Sequence, residues 1–281
     1  MNTADCSSAS PTEWLAPSWT PRTSCRRPYL RWDTTDAKTI DTPIAFLRTV
    51  VTRLSIDHLR RAKKTREVYE GLWLPEPYVD TPSTNHDELS ESLSTAFLVL
   101  LENLAPPERA AFLLMEVFGY TYSEIADTLE KSEANCRQIV KRAKDRIQEY
   151  KPRHAIDPAE HERLVSEFIA ASQEQNMDRF SAILAEDAVL YTDHGGKVIA
   201  NKRAIFGAVN IGRFIHGLMK RFRPENYRME ARIINGTQGL VAYEGDKPSS
   251  VTTFAIQDGH IQTIYTVPNP DKLAALRPNG N

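Results

Sequence analysis

The chain has 281 residues, of which 41% are hydrophobic and 26% charged, a balance that fits about two or three compact globular domains and excludes a disordered or fibrous chain. Its formal net charge of -2 excludes a surface that is basic throughout. No stretch approaches the roughly 20 apolar residues needed to cross a bilayer.

The start of the chain, residues 1–28, is rich in Ser, Thr, Pro, Arg and Trp without periodicity, and reads as a disordered N-terminus. It lacks the charged region, apolar run and cleavage site of a secretory leader, so the expected location is the cytoplasm, with no membrane partner. Cys6, Cys25 and Cys136 form no CxxC pair and have no clustered histidines beside them, so three reduced thiols are expected, with no metal and no cofactor.

From Thr42 to about Arg66 the pattern is helical. Phe46, Leu47, Val50, Val51 and Leu54 share one stripe, Pro43 sits where a first turn tolerates it, and Arg48, Arg53, Arg60, Arg61, Lys63, Lys64 and Arg66 occupy the other faces. The segment Gly71-Leu72-Trp73-Leu74-Pro75-Glu76-Pro77, followed by Thr81-Pro82-Ser83-Thr84-Asn85, reads as an extended linker. A second helical region runs from about Asp87 to Tyr150, restarted at Ala105-Pro106-Pro107-Glu108 and broken at Gly119.

Beyond Asp157-Pro158 the pattern becomes mixed. Helices are expected over about Glu160 to Gln175 and Lys202 to Phe222, and strands over Ala188 to Thr192, Tyr227 to Ile234, Leu240 to Glu244, Val251 to Ile256 and Ile261 to Val267. Asn235-Gly236 and Asp258-Gly259 suit tight hairpins, so the expected architecture is a curved antiparallel sheet packed on helices.

The sharpest pattern lies between Thr121 and Ala143. Thr121 with Glu124 makes a capping box, Glu130 and Lys131 form a short connection, and Ser132 with Glu133 caps a second helix, together a helix-turn-helix. In that second helix Cys136, Ile139, Val140, Ala143 and Ile147 follow the spacing of a buried stripe. The opposite face presents Arg137, Gln138, Lys141, Arg142 and Lys144. Arg and Gln can make paired hydrogen bonds to base edges while Lys neutralises phosphates, so this face is the candidate DNA-binding surface; a solvated basic helix in a bundle is the plainer alternative.

This helix-turn-helix, preceded by Leu104-Ala105-Pro106-Pro107-Glu108-Arg109-Ala110-Ala111-Phe112, resembles region 4 of the extracytoplasmic-function sigma factors, which reads the minus 35 promoter element. Tyr29-Leu30-Arg31-Trp32, then Ile44 to Leu54, then Leu59-Arg60-Arg61 resemble regions 2.3 and 2.4, which melt and read the minus 10 element. Three further motifs resemble a SigJ-like subgroup that carries a SnoaL-like extension. They are Trp73-Leu74-Pro75-Glu76-Pro77, Asp193-His194-Gly195-Gly196-Lys197, and Asn269-Pro270-Asp271-Lys272-Leu273. The second departs from the subgroup's Asp-Gly-Gly-Gly-Lys at His194, which adopts a positive backbone angle less readily than Gly.

The resemblance implies a multi-domain chain: residues 29–68 a remnant of region 2, 69–86 a linker, 87–153 the region 4 helix-turn-helix, and 158–281 an α+β SnoaL/NTF2-like cone. It implies contact of Arg53, Asp57, His58, Arg60 and Arg61 with the minus 10 element. It also implies an interdomain regulatory role for Trp73, Leu74, Pro75, Glu76, Pro77, Asp193, Gly195, Gly196, Lys197, Asn269, Pro270, Asp271, Lys272 and Leu273. Core RNA polymerase and promoter DNA are the implied partners, with the C-terminal domain standing in place of a separate anti-sigma protein.

Residues 1–28 do not resemble the polymerase-binding regions 2.1 and 2.2. Re-reading the codons of Ser10 to Pro28 from their third bases, with permissible wobble, encodes Ala-Tyr-Arg-Met-Ala-Arg-Ser-Val-Val-Asp-Ala-Glu-Asp-Val-Val-Gln-Glu-Ala. That peptide is family-like and runs directly into Tyr29, so a frameshift is expected to have replaced the N-terminal region and weakened polymerase binding. SnoaL-like folds also host isomerases and cyclases with an Asp or His base; Asp187, Asp193, His194 and His216 are the candidates here, although no catalytic residue is expected. A small-molecule-sensing DNA-binding regulator and an enzyme with a vestigial sigma region are the alternatives to an initiation factor.

Overall fold

The computed structural model describes residues 28, 32–35, 42–66, 69–79, 94–148, 157–222 and 224–276. The aperiodic start with its re-read codons, Tyr29-Leu30-Arg31, the turn residues 81–85 and the helix start expected at Asp87 lie outside the described residues. The chain divides into two compact units, the first made of residues 1–68 and 100–151 and the second of residues 69–99 and 152–281.

The first unit is helical. Helix α1 is Pro43–Arg66, α3 is Pro106–Glu116, α4 is Tyr122–Leu129 and α5 is Glu133–Gln148, while α2, Thr95–Glu102, runs across the division between residues 99 and 100. Helix α1 buries Val50, Ile56 and Leu59 along one side, as an apolar stripe at helical spacing requires. Helix α3 starts where Pro106 and Pro107 cost no hydrogen bond, and the Glu108 carboxylate accepts from the Ala105 backbone N–H at 3.1 Å. The Arg109 guanidinium and the Glu102 carboxylate form a buried ion pair at 2.8 Å. Ala111, Leu114, Ile125, Ala126, Cys136, Ile139 and Val140 then make one apolar cluster among α3, α4 and α5.

The second unit has α6 at Pro158–Glu174, α7 at Met177–Ile183, β1 at Leu184–Thr192, β2 at Ile205–Phe206, α8 at Ala208–Phe222, β3 at Tyr227–Ile234, β4 at Thr237–Glu244, β5 at Lys247–Gln257 and β6 at His260–Val267, before a short 3-10 turn at Ala274–Leu276. The strands form one sheet in the order β2-β1-β6-β5-β4-β3. The core lies between the sheet and the helices, where the Phe168 ring meets Phe254 and Phe180 edge-on at centroid distances of 4.9 and 5.5 Å.

Several expectations from the sequence need correction. The sheet is mixed, because β1 runs parallel to β6: the chain leaves β1, crosses over through β2 and α8, and returns by a meander of hairpins. The helix expected from Lys202 begins only at Ala208, since Ile205 and Phe206 pair with β1 and Gly207, at φ 86°, turns the chain out of the strand. Helix α7 was not expected; the Asn176 side chain starts it by accepting from the N–H groups of Asp178 and Arg179, both at 3.1 Å. The two hairpin turns are as read, with Asn235 and Gly236 at φ 50° and 73° and Asp258 and Gly259 at φ 49° and 75°.

One buried titratable contact ties α6 to the sheet. The imidazole of His161 donates from Nε2 to the Gln238 carbonyl of β4 at 2.8 Å, and burial pulls its pKa below the ordinary histidine value while that hydrogen bond opposes the shift. The folded state therefore binds fewer protons than the unfolded one as pH falls through ~6.5, so stability is full above that value and declines below it. Thermal unfolding of the second unit, followed from about pH 8 to about pH 5, is expected to show this decline and to lose part of it in His161→Gln; an identical pH slope in the variant contradicts the assignment.

Candidate nucleic-acid interface and linker clasp

The helix-turn-helix is built from local chemistry. The Thr121 side chain accepts from the Glu124 N–H at 3.3 Å and the Glu124 carboxylate accepts from the Thr121 N–H at 2.8 Å, closing a reciprocal cap at the start of α4. The Thr121 N–H and the Thr121 hydroxyl, which also donates to that carboxylate at 2.8 Å, hold the Glu124 carboxyl below its usual range. Helix α4 ends with Glu130 in the left-handed region at φ 54°, which turns the chain into Lys131 and Ser132. Helix α5 then starts with the Ser132 hydroxyl accepting from the Asn135 N–H at 3.3 Å.

The stripe read from the sequence is the buried one. Cys136, Ile139, Val140, Ala143 and Ile147 are each at most 5% exposed, and burial pushes the Cys136 thiol pKa up, away from a reactive thiolate. Arg137, Gln138, Lys141 and Arg142 are exposed on the other side. Lys144 is half-buried and bound to Glu116 at 2.7 Å, a bond that raises its pKa, so it is less available to a phosphate than Lys141.

The α1 candidates are distributed differently. The Arg53 guanidinium reaches the last turn of α4: Nε donates to the Thr128 carbonyl at 3.1 Å, Nη2 to the Asp127 carbonyl at 3.3 Å, and Nη1 lies 2.9 Å from the Glu130 carboxylate. A cation there satisfies orphaned carbonyls at the negative end of the helix dipole. Nε, Nη1 and Nη2 of Arg53 are thus all engaged within this unit, with the side chain 41% exposed. Asp57 and Arg60 pair with each other at 3.0 Å in the open, Arg61 is exposed and His58 is half-buried.

In the second unit the three separated motifs converge on one buried carboxylate. Asp193 is 0% exposed; its Oδ2 accepts from the Leu74 N–H at 2.8 Å and from the Lys272 ammonium at 2.6 Å, and its Oδ1 accepts from the Tyr69 hydroxyl. Lys272 also donates to the Leu74 carbonyl and sits 4.0 Å from the Trp73 ring centroid. The Asn269 amide donates to the Tyr69 oxygen at 2.7 Å, and its backbone N–H reaches the Asp193 carbonyl at 3.2 Å. Burial and the adjacent Asp193 carboxylate raise the Tyr69 pKa far above the ordinary phenol value.

The linker is thus folded into this unit rather than free-standing. Leu74, Pro75 and Pro77 are buried, Glu76 is half-buried, and Tyr78 exchanges backbone and side-chain hydrogen bonds with Asn235 at 2.8 and 3.0 Å. Val79 forms a bridge with Ile234, beside Leu273. The charges of the Asp193 to Lys197 turn have partners within the unit: Asp193 takes Lys272, and Lys197 meets Asp271 at 3.4 Å. Pro270 lies between the clasp residues Asn269 and Asp271.

The positive backbone angles of that turn fall on Gly195 and Gly196, at φ 55° and 69°, so His194 occupies the departing position without that strain. Its Nδ1 accepts from the Gly196 N–H at 2.9 Å and its ring lies against Gly71, where a Cβ would come within 2.6 Å of Nε2. Tyr69 and Glu70, the latter bound to Lys202 at 2.8 Å, belong to the clasp but were not singled out, since isolated polar residues ahead of Gly71 carry no periodicity. Of the four candidate bases, Asp193 is held by the clasp, His194 lies against Gly71, Asp187 accepts from Gln262 at 2.9 Å and His216 lies on α8. Among the described residues no group of three or more His, Cys, Asp or Glu could hold a metal, and no helix is long and apolar enough to cross a membrane.

Removing one partner of a buried ion pair leaves the other charge uncompensated, at a cost of about 3–5 kcal/mol. Lys272→Met is therefore expected to speed hydrogen exchange at the Leu74 amide and to expose residues 69–79 to protease, with Asp193→Asn restoring part of the protection in the double variant. Unaltered Leu74 exchange in Lys272→Met contradicts the clasp.

Residues 94–147 match the Sigma-70, region 4 family. The chain is 34% identical over 259 residues to the ECF RNA polymerase sigma factor SigJ of Mycobacterium tuberculosis, spanning 87% of this chain and 82% of that protein. It is 26% identical over 243 residues to the probable ECF RNA polymerase sigma factor SigI of the same species, spanning 85% and 81%. The crystal structure of M. tuberculosis SigJ superposes with a TM-score of 0.74 at 30% identity, covering 94% of this chain and 93% of that one. A helical region 4 followed by a mixed-sheet SnoaL/NTF2-like unit, matched along nearly the whole length of such a relative, means that the chain belongs to the extracytoplasmic-function RNA polymerase sigma factors.

Proposed function

We propose that this chain directs core RNA polymerase to promoters, with α5 docking Arg137, Gln138, Lys141 and Arg142 in the major groove of the minus 35 element. The observation that carries the reading is the one-sidedness of α5: its apolar side is buried and its cationic side is open. Region 2, through Arg53, Asp57, His58, Arg60 and Arg61 on α1, serves the minus 10 element. Engagement there requires Arg53 to exchange the α4 carbonyls and Glu130 for its new partners.

The C-terminal unit is the regulator in this reading and replaces a dedicated anti-sigma protein. Support comes from the clasp, which joins the segment leading out of α1 to the end of the chain through Asp193, Lys272 and Asn269. Because Asp193 is 0% exposed and held by Leu74, Lys272 and Tyr69, it is closed off from a substrate, which favours regulation over isomerase chemistry. The protein acts in the cytoplasm.

The reading frame of residues 10–28 is part of the proposal, with regions 2.1 and 2.2 lost to a frameshift and polymerase binding weakened. Transcription in vitro with core polymerase is expected to be low for the chain as given and higher for the frame-corrected chain. In the corrected chain, Arg137→Ala should relax base preference at minus 35, and Lys141→Ala should weaken all sequences alike while lowering the salt dependence of binding. Deleting the tail from Asn269 should change promoter-dependent output. No transcription from the corrected chain contradicts the function, and third bases that do not permit the alternate peptide contradict the frameshift.

A further inference from the structure

Arg137 is not a freely swinging cation. Its Nη2 donates to the Glu133 carboxylate one turn back on α5 at 3.0 Å, and its Cζ lies 5.1 Å from the centroid of the Tyr122 ring, which belongs to α4. Tyr122 is itself fixed: it is the first residue of α4, next to the reciprocal cap at Thr121, and its half-buried side chain packs against the cluster of Ile125, Cys136 and Ile139. The guanidinium is still 59% exposed on its side chain.

We propose that Tyr122 and Glu133 are positioning residues that hold the Arg137 fork in a base-reading pose before DNA arrives. The inference rests on the proposed DNA-reading role of α5. Nη2 carries two hydrogens, one on the edge it shares with Nε and one on the edge it shares with Nη1, and Glu133 takes only one of them. One two-pronged edge therefore stays open for a pair of acceptors such as the O6 and N7 of guanine.

The ring face supplies a cation–π contact and removes side-chain freedom that DNA binding would otherwise have to remove. Glu133 has a second consequence. Its negative charge, 46% exposed at the start of the helix that faces the duplex, repels phosphates, so it lowers affinity for every sequence while sharpening the choice among them. Positioning and non-specific attraction thus oppose each other at this residue.

The test uses the full, frame-corrected chain, with and without core polymerase, and a randomised short double-stranded DNA library, from which the base preference at each position is read. Arg137→Ala identifies the base pair that Arg137 reads. At that pair Tyr122→Leu is expected to lower the preference roughly two- to fivefold, whereas Tyr122→Phe, which keeps the ring, retains it. Glu133→Ala is expected to lower the preference at the same pair while holding or tightening binding to non-specific DNA, a split that damage to the fold does not produce. Because Glu133 is a surface residue, this arm stands even if Tyr122→Leu unfolds. If Arg137→Ala erases a preference that both Tyr122→Leu and Glu133→Ala leave intact, positioning is overturned while DNA reading stands. If neither the chain nor its complex with core polymerase shows any preference, or Arg137→Ala changes none, the DNA-reading role of α5 fails and positioning fails with it.

Discussion

A helix that is apolar on only one side buries that side, and in α5 it is the side of Cys136, Ile139, Val140, Ala143 and Ile147. Everything proposed for the first unit depends on this commitment. Since the apolar stripe cannot turn outward without emptying the cluster shared with α3 and α4, the orientation of Arg137, Gln138, Lys141 and Arg142 is set by packing rather than by their own charge. The caps at Thr121 and Ser132 and the left-handed Glu130 then set where α5 begins relative to α4. Arg53 braces the same corner from α1, where it offsets both the orphaned carbonyls of α4 and the charge of Glu130.

The second unit uses the opposite strategy. Its clasp is polar and buried, built around an Asp193 carboxylate that would be costly to hold without the Lys272 ammonium, the Leu74 amide and the Tyr69 hydroxyl. Such a cluster is geometrically demanding, because the 69–74 segment and Lys272 must both reach Asp193 from distant parts of the chain for the charge to be tolerated. That property fixes the linker more specifically than an apolar patch would. A docked linker of buried prolines and a leucine could slide, whereas one held by a shared ion pair has one register.

Local features were legible in the sequence. The helix-turn-helix was readable because its caps, its connection and its buried stripe all lie between Thr121 and Ile147, and the hairpins because Asn235-Gly236 and Asp258-Gly259 carry their backbone angles in their residue types. Resemblance supplied the three motifs of the clasp, but not their mutual contact: Asp193 and Lys272 are 79 positions apart and Tyr69 and Asn269 are 200 apart, separations at which no periodic pattern operates. The Arg53 contacts were hidden for the same reason. Helix α7 was too short to display a period, and the parallel pairing of β1 with β6 is a property of the crossover between them rather than of either strand's residues.

The central claim, that the open side of α5 is what meets promoter DNA, is tested most directly by placing a photocrosslinking amino acid at Gln138 of the full chain and mapping its adducts on a promoter complex with core polymerase. Crosslinks confined to bases of the minus 35 major groove, and absent when the probe replaces the buried Val140, are the expected result. Adducts scattered along the duplex, or none at minus 35 from Gln138 in a complex that still initiates transcription, would contradict it.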